Sequence, residues 1–215
     1  MKFNQVDEIK FYNSINEAKL KNNFGCYLSL YEKNDYKNFK NFLLDEGVAG
    51  FSVKPDGDLV SVFKNPELAK KEPDKYKNVI DKIMMVALQN NATKMDCYGN
   101  FLASVYMNYG FIPVGKVKFN KEYCKNWDTE KHGTPDVIAL CRVYMSSDEL
   151  IKRRSQNEFY DFYEINEKIP YFDNYEDLLN YRDKLFDHIK NNALNYNQAI
   201  KYVINKNNEK EVSYE

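Results

Sequence analysis

Tyr106 lies in the stretch NFLASVYMNYGF, residues 100–111, four residues before Gly110. The stretch has the spacing of an amphipathic helix, and a glycine in the left-handed conformation commonly ends a helix. A tyrosine hydroxyl in such a place can act as a proton donor in catalysis. The alternative is that the Tyr106 ring packs against the protein while its hydroxyl stays in water. The residue type and its position leave both interpretations open.

The four cysteines are widely spaced and form no C-x-x-C pair, so we expect no zinc site and no other metal. They are Cys26, Cys97, Cys124 and Cys141. A chain of this length with so few cysteines favours reduced, buried thiols over disulfides. Cys97 could act as a nucleophile only with a base in reach. Its place inside an apolar strand pattern favours an inert buried thiol.

The charge of the chain is almost balanced, with a formal net charge of −1. Residues 1–146 carry 21 Lys/Arg against 18 Asp/Glu, and residues 147–215 carry 10 against 14. This balance gives no overall attraction to nucleic acid or to an anionic membrane. No apolar run approaches the roughly 20 residues that cross a bilayer, and the N-terminus lacks the apolar segment of a signal peptide. We therefore expect a soluble, cytoplasmic protein.

Local patterns predict a mixed α/β domain over residues 1–145 and an all-helical extension over residues 146–215. The predicted strands are 25–31, a hairpin over 49–63 around the turn residues Pro55 to Asp58, 92–98, 111–119 and 136–145. Four helices are predicted in the first region: one that begins at a Ser14 capping box, one over 34–44, one that begins near Pro73 and one over 100–110. Three are predicted in the extension: one that begins at a Ser146 capping box, one near 175–191 and one over 197–205.

Three blocks of this sequence together resemble one family. VYMNYGF is similar to the helix end Y-x-x-x-G-F of the GNAT family of N-acetyltransferases. The longer blocks FLLDEGVAGFSVKPDGDLVSVF, YMNYGFIPVGKVKFNKEYCKNWD and GTPDVIAL resemble, in this order, acetyltransferase-like proteins of bacteriophages and other mobile elements. The resemblance covers about residues 25–145. It implies a GNAT-like fold, with a twisted, mostly antiparallel sheet flanked by helices.

The resemblance also implies a cofactor, acetyl-CoA or another acyl-CoA, lying between two strands that splay apart. These strands correspond to residues 58–63 and 92–98. The pyrophosphate would bind at the start of the helix that follows the first of them. The residues that the resemblance assigns to this cofactor are Val62, Phe63, Lys64, Lys71, Lys75, Lys77 and Asn100. Asn100 lies six residues before Tyr106, whereas the family often carries an asparagine seven residues before its tyrosine.

The phosphate loop departs from the family pattern. The family writes this loop with glycines, because glycine lets the backbone approach a phosphate. This chain has no glycine from residue 64 to residue 98 and carries several lysines there instead. These lysines could supply part of the anion affinity as point charges, or they could form a solvated surface.

Tyr106 matches the family tyrosine that protonates the departing CoA thiolate. Transfer to an amine also needs a base or a water chain that keeps the amine neutral. The candidates are Asp96, Asp128, Glu130 and His132, and we select Asp128 and His132 because their loop would overhang the active-site mouth. Trp127 could cover the acceptor or anchor this loop. Asp136 fits a turn, and His188 on a tail helix has no assigned role.

Two functions follow from this reading. The first is an acyl-CoA-dependent N-acetyltransferase, encoded by a phage or mobile element, that modifies a host protein or a small amine. The alternative is a catalytically inactive GNAT-like scaffold that binds a protein partner, as in phage counter-defence or host takeover. Tyrosine and phenylalanine are frequent in the tail, which favours an interface with a partner, although the same residues could instead dock the tail onto the sheet domain. Binding of nucleic acid through the lysine-rich loop is disfavoured by the charge balance.

Overall fold

The computed structural model describes residues 2–123, 127–156, 158 and 160–212. These residues form a mixed α/β structure with two four-stranded sheets, which confirms the predicted fold class at this level. The chain divides into two compact units, Met1–Thr93 and Lys94–Glu215. Each unit contains one of the sheets, and each is described below by itself.

The first unit contains an antiparallel sheet in the order β1-β2-β3-β4. The strands are β1 (Phe3–Val6), β2 (Lys40–Leu44), β3 (Ala49–Val53) and β4 (Leu59–Lys64). The helices are α1 (Glu8–Lys21), α2 (Pro66–Ala69) and α3 (Val79–Gln89). Helices α1 and α3 pack on the sheet. A buried cluster joins α1 to the strands through Phe11, Ile15, Ala18, Tyr36, Leu43 and Phe63.

The predicted hairpin is confirmed as β3 and β4, with its turn at Pro55 to Asp58. The turn closes through hydrogen bonds that Lys54 N donates to Asp58 O at 2.9 Å and Gly57 N donates to Lys54 O at 3.0 Å. Gly57 has a φ of +87°, and a Cβ there would lie 2.3 Å from Thr93 Oγ1. The turn therefore needs glycine both for its backbone conformation and for space.

Two predicted elements of the first unit are wrong. Residues 25–31 form no strand, because Gly25 packs against the Lys19 carbonyl of α1 and the chain makes local 3-10 hydrogen bonds over Gly25–Tyr27. Residues 34–44 are not a helix but a 3-10 turn, Asp35–Asn38, followed by β2. A short run that is buried on both faces, as Phe42 to Leu44 are, has no period that separates helix from strand.

The predicted helix starts in this unit are also misplaced. Asp7, and not Ser14, caps α1, while the Ser14 hydroxyl donates to Lys10 O inside the helix. The helix expected from Pro73 begins only at Val79. Proline instead occupies the first turn of α2, as Pro66 behind the cap Asn65. The short strand β1 has no counterpart among the predicted elements, since its four residues alternate too briefly to be recognised.

The second unit contains a sheet in the order β5-β7-β6-β8, antiparallel except for the parallel pair β6 and β8. Its strands are β5 (Lys94–Tyr98), β6 (Phe111–Val117), β7 (Val137–Arg142) and β8 (Tyr171–Phe172). Its helices are α4 (Gly99–Met107), α5 (Thr129–His132), α6 (Ser147–Gln156), α7 (Phe162–Lys168), α8 (Tyr175–Asn191) and α9 (Tyr196–Val212). The predicted strands and helices of residues 92–145 are thereby confirmed within a few residues.

The tail packs on the second sheet. Helix α8 lies on β6 and β7, and Gly115 makes room for it, because a Cβ there would meet both Leu178 and Phe172 at 2.9 Å. The tail is not all-helical as predicted, since Tyr171 and Phe172 pair with the edge of β6. The predicted domain boundary at residue 145 stays a prediction. Among the described helices, none is long and apolar enough to cross a bilayer.

Candidate functional site

Strand β4 carries a β-bulge in the middle of the hairpin. Gly50 pairs with Phe63 and Ser52 pairs with Val60, so Phe51 faces two residues, Ser61 and Val62. Ser61 has a φ of +55°, a left-handed conformation that is costly for a residue other than glycine. Bulges and strained backbone are over-represented beside active sites, where they redirect groups away from the ladder. This bulge lies in the strand that the family resemblance assigns to the cofactor.

A buried chain of hydrogen bonds holds Ser61. The Ser61 hydroxyl donates to Ser29 O at 3.1 Å and lies 2.8 Å from the Tyr36 hydroxyl. Because Ser61 has one proton to donate, it must accept the proton of Tyr36. Tyr36 in turn accepts from Tyr31 N at 3.3 Å and is fully buried. Burial raises the pKa of Tyr36, although the Ser61 hydrogen bond acts in the opposite direction.

The three predicted cofactor residues of β4 lie at and after the bulge. Val62 and Lys64 are half-buried, and Phe63 is buried in the core of the first unit. Phe63 is therefore a packing residue whose side chain contacts α1 through Phe11, at 5.9 Å between ring centroids. The Lys64 ammonium donates to Tyr76 O at 2.9 Å and so ties the end of β4 to the lysine-rich segment.

The lysine-rich segment, residues 70–78, contacts the turn after β2 through Asp45. Asp45, in the turn after β2, accepts a hydrogen bond from the Tyr76 hydroxyl at 2.8 Å and lies 3.1 Å from the Lys75 ammonium. These contacts hold the pKa of Asp45 below its ordinary value. Lys75 also pairs with Glu72 at 3.1 Å. The predicted cofactor residues Lys71 and Lys77 are exposed in the same segment.

Helix α3 begins after this segment, at Val79. Asn78 occupies the cap position without a side-chain hydrogen bond. Asp81 N donates to Asn78 O at 3.2 Å, as in the first turn of an ordinary helix. The start of α3 is where the resemblance implies a bound pyrophosphate. The acyl-CoA cleft predicted from residues 58–63 and 92–98 stays a prediction.

Tyr106 lies in the last turn of α4 and is buried, with 6% of its surface exposed. Its electrostatic neighbours are Cys97, Asp96 and Tyr109. Burial is the main reason why the pKa of Tyr106 is raised above the ordinary value, and the neighbouring groups act in the same direction. Tyr106 is therefore a neutral phenol at physiological pH. The burial of Tyr106 fits the alternative interpretation of a packed ring, but the desolvation of its phenol does not fit a hydroxyl that stays in water.

Cys97 and Asn100 flank the start of α4. Cys97 is buried in β5, and desolvation raises its pKa well above the ordinary value, which supports the predicted inert thiol. Asn100 is exposed in the first turn of α4. The turn before it depends on Gly99, which has a φ of +77° and donates its N–H to Asp136 O at 2.8 Å.

The loop before β7 places Asp128 and His132 at the two ends of α5. The exposed carboxylate of Asp128 caps this short helix by accepting from Glu130 N and Lys131 N, both at 3.1 Å. His132 N donates to Asp128 O at 2.9 Å, and the half-buried His132 ring lies edge-on to Trp127 at 5.8 Å between centroids. The structure thus brings the two predicted bases close together in one turn.

Trp127 anchors this loop. The indole is 3% exposed, donates its N–H to Gly133 O at 2.9 Å, and packs on Tyr98 and Phe119 with centroid distances of 5.0 and 4.9 Å. Of the two roles predicted for Trp127, the observed contacts support the anchor. Cys124, in the same loop, lies outside the described residues.

The remaining candidates have structural roles. Asp136 accepts a hydrogen bond from the Tyr171 hydroxyl at 2.5 Å and pairs with Lys118 at 3.7 Å. His188 stacks on Tyr202 with 4.1 Å between ring centroids. Within the described ranges, no three His, Cys, Asp or Glu side chains are grouped so that they could hold a metal ion.

Sequence reasoning missed four residues of the first unit, Tyr36, Asp45, Ser61 and Tyr76. Their contacts join positions 25 and 31 residues apart in the sequence, which no local pattern reveals. Only Asp45 had a local signal, because the sequence Asp45-Glu46-Gly47 has turn chemistry and the structure gives all three residues a positive φ.

Comparison with protein-family models, with curated proteins and with solved structures finds no match to this chain.

Proposed function

We propose that this protein is a GNAT-like N-acetyltransferase that uses acetyl-CoA or another acyl-CoA. The observation that carries the proposal is the order of elements from β3 to β7. The hairpin is followed by the short α2 and by α3, then by β5, α4 and two further strands with the short α5 between them, which agrees with the order that the resemblance implies, and β4 and β5 belong to different sheets. The strained bulge at Ser61, in the strand expected to meet the acyl group, adds support.

The proposed reaction transfers an acyl group from sulfur to nitrogen. A neutral amine attacks the thioester carbonyl, a C–N bond forms, the C–S bond breaks, and the sulfur leaves with the electron pair. The amine loses one proton, which His132 or Asp128 accepts directly or through water. Asp128 already accepts two backbone hydrogen bonds as a helix cap, so His132 is the better placed of the two to take a proton.

Tyr106 would act on the leaving thiolate. An ordinary thiol has a pKa of about 8.5 and an ordinary phenol one of about 10. Because burial raises the pKa of Tyr106 further, a full proton transfer to the thiolate is uphill. Tyr106 would instead keep its proton and stabilise the negative sulfur by an O–H···S hydrogen bond. This role needs a phenol that stays neutral, and burial provides it.

The proposed acceptor is a host protein or a small amine, and the proposed source of the gene is a phage or other mobile element. Both proposals rest on the three sequence blocks that resemble acetyltransferase-like proteins of such elements. The same origin would place the protein in the cytoplasm of the host cell. The proposal includes no metal cofactor.

A direct test is calorimetric titration of the protein with acetyl-CoA and with CoA, followed by thiol release from acetyl-CoA in the presence of lysine peptides or polyamines. We expect micromolar binding of acetyl-CoA. We expect Tyr106→Phe to lower kcat by about tenfold or more at an unchanged affinity, because only the transition state loses a hydrogen bond.

Tyr109→Phe is the matched control, since Tyr109 is also a buried tyrosine at the end of α4. It should retain the wild-type rate. An active wild-type protein whose Tyr106→Phe variant is equally fast would exclude Tyr106 from the reaction. A folded protein that gives no heat with millimolar acetyl-CoA would contradict the acyltransferase proposal.

One observation favours the alternative, an inactive GNAT-like scaffold that binds a protein partner. Lysines of the region that replaces the glycine loop are held by the protein itself, Lys64 by Tyr76 O, Lys70 by Glu67 at 2.8 Å, and Lys75 by Asp45 and Glu72. Each such contact must be broken or shared before that ammonium can serve a phosphate. The titration with acetyl-CoA separates the two functions.

A further inference from the structure

The end of β4 and the turn after β2 lie side by side in the first unit. Asn65 N donates to Val48 O at 2.8 Å, and Ala49 pairs with Lys64 in the sheet. The turn therefore presents Asp45 beside the region, residues 64–78, from which the lysines extend. Asp45 and Glu46 have φ values of +37° and +56°, so the carboxylate is held there by a strained backbone.

The groups that meet at Asp45 are those that a phosphate would use. Its Oδ2 atom accepts from the Tyr76 hydroxyl and lies 3.1 Å from the Lys75 ammonium, while Lys64 fixes the Tyr76 carbonyl. A phenol and an ammonium converging on one oxygen form charge-assisted hydrogen bonds of the kind that bind phosphate oxygens. Tyr76 is 3% exposed, so one of these donors is fixed by packing.

A further buried donor lies at the end of β4. Asn65, the residue after Lys64, is 1% exposed and uses its Oδ1 atom to cap α2. Within the described part of the chain, its Nδ2 atom finds no acceptor. A buried donor without an acceptor is rare in native proteins and calls for a bound water or ligand. The end of β4 thus carries a buried donor with no acceptor among the described residues, directly after Lys64, which holds Tyr76.

We propose that Asp45 is a built-in competitor for the phosphate of the ligand. In the ligand-free protein its carboxylate takes the place of an anion on Tyr76 and Lys75. A pyrophosphate group that binds at the start of α3 and uses Lys75 and Tyr76 must displace Asp45, and the turn of residues 45–48 is then released. This inference rests on the proposed function and concerns the regulation of the same site, because affinity for the ligand depends on how firmly Asp45 is held.

The test compares the binding of inorganic pyrophosphate and of CoA by calorimetry at fixed ionic strength. Asp45→Asn removes the competing charge, keeps an oxygen that Tyr76 can donate to, and suits a left-handed backbone. We expect this variant to bind pyrophosphate about three- to fivefold more tightly than the wild type, the upper range for one partly exposed charge pair. Glu67→Gln is the matched control, since it removes a carboxylate of the same region that pairs with Lys70 and makes no contact with Asp45 among the described ion pairs.

The control should change the affinity for pyrophosphate much less than Asp45→Asn does. If both variants raised the affinity for pyrophosphate equally, the loss of one negative charge anywhere in this region would explain the result, and the proposal would be overturned. An Asp45→Asn variant that binds pyrophosphate no more tightly than the wild type, or does not bind it, would also overturn the proposal.

CoA separates this proposal from the proposed function. Tighter binding of pyrophosphate by Asp45→Asn, with no binding of CoA to either protein, would support the competition and contradict the acyltransferase. Binding of CoA that Asp45→Asn leaves unchanged would preserve the acyltransferase and overturn the competition.

Amide hydrogen exchange of the wild-type protein gives a measurement that needs no variant. Saturating pyrophosphate should accelerate exchange at residues 46–48, because the displaced carboxylate no longer holds the turn. Unchanged or slower exchange at these amides, with pyrophosphate bound, would contradict the displacement.

Discussion

Each sheet contains a β-bulge, and the two bulges are stabilised in opposite ways. In β4 the extra residue brings Ser61 into a left-handed conformation, held by the hydroxyl of Tyr36 and the carbonyl of Ser29. In β6 the extra residue is Val114, between Pro113 and Gly115, and it is fully buried with a negative φ. Polar contacts therefore hold a strained backbone in the first, and apolar packing covers an unstrained one in the second.

This difference indicates different roles. The β6 bulge lies under the tail, where Leu178 and Phe172 would meet a Cβ of residue 115 at 2.9 Å. It shapes the surface on which α8 packs. The β4 bulge costs conformational free energy and is retained by a polar network at Ser61, and strained backbone of this kind occurs at functional sites. We therefore assign the β6 bulge to stability and the β4 bulge to the proposed acyl-CoA site.

The largest expected change in the free energy of unfolding is at the β6 bulge. Leu178→Ala removes a fully buried side chain that packs on Gly115, and such changes cost about 2–5 kcal/mol of unfolding free energy. Urea unfolding measures the loss. Leu20→Ala is the control, because Leu20 is 79% exposed, and it should change the unfolding free energy by less than about 0.5 kcal/mol. Similar losses for both variants would show that the tail does not pack on β6 as described.

The sequence predicted the elements that local chemistry determines. Helix α8 was predicted within its observed bounds, because its leucines recur at helical spacing, and the structure adds an Asn174 cap. The β3–β4 hairpin followed from its turn residues. Ser146 also caps as predicted, since its Oγ accepts from Glu149 N at 3.2 Å.

The two bulges and the Asp45 contacts could not be predicted in this way. A serine in a strand gives no sign of a left-handed backbone, because what fixes its conformation is Tyr36, 25 residues away. Gly115 could equally have marked a turn or a close contact, and only the folded tail shows which. Of the predicted site residues, Asp128 and His132 were found together because they are close in the sequence.

A glycine exchange sharpens the comparison between the bulges. Ser61→Gly removes the left-handed strain together with the hydroxyl contacts, whereas Ser61→Ala removes only the contacts. We expect the glycine variant to be more stable than the alanine variant by about 1 kcal/mol. At the other bulge the order should reverse, with Val114→Gly less stable than Val114→Ala by about 0.5–1 kcal/mol, since Val114 is not left-handed.

Chemical denaturation of the four variants, compared within each pair, measures this order. The same order at both positions would show that the two backbones do not differ in strain. Both members of each pair lose the same side-chain contacts, so this loss cancels when the two free energies of unfolding are compared.

The smallest expected effect is a difference in alkaline stability. Burial raises the pKa of Tyr36 beside the β4 bulge and raises that of Tyr181, which packs on Phe172 in the tail, to about 12. A tyrosine whose pKa is raised by folding contributes full stability below its unfolded pKa of about 10, and this contribution is lost as the pH rises. Each residue can therefore lower the unfolding free energy by at most about 1.4 kcal/mol per pH unit above pH 10.

Tyr36→Phe and Tyr181→Phe should each flatten this alkaline decline, measured by urea unfolding between pH 9.5 and 11, with pH values taken at about half-unit steps. The effect at Tyr36 should be the smaller, because the Ser61 hydrogen bond lowers the pKa of Tyr36 and so partly offsets the increase that burial causes. When Tyr36 ionises, the Ser61 hydroxyl can turn and donate to the phenolate, which lowers the pKa of Tyr36. Ser61→Ala removes this donor, so we expect it to make the alkaline decline due to Tyr36 steeper. An unchanged decline in the Ser61→Ala variant would contradict the network.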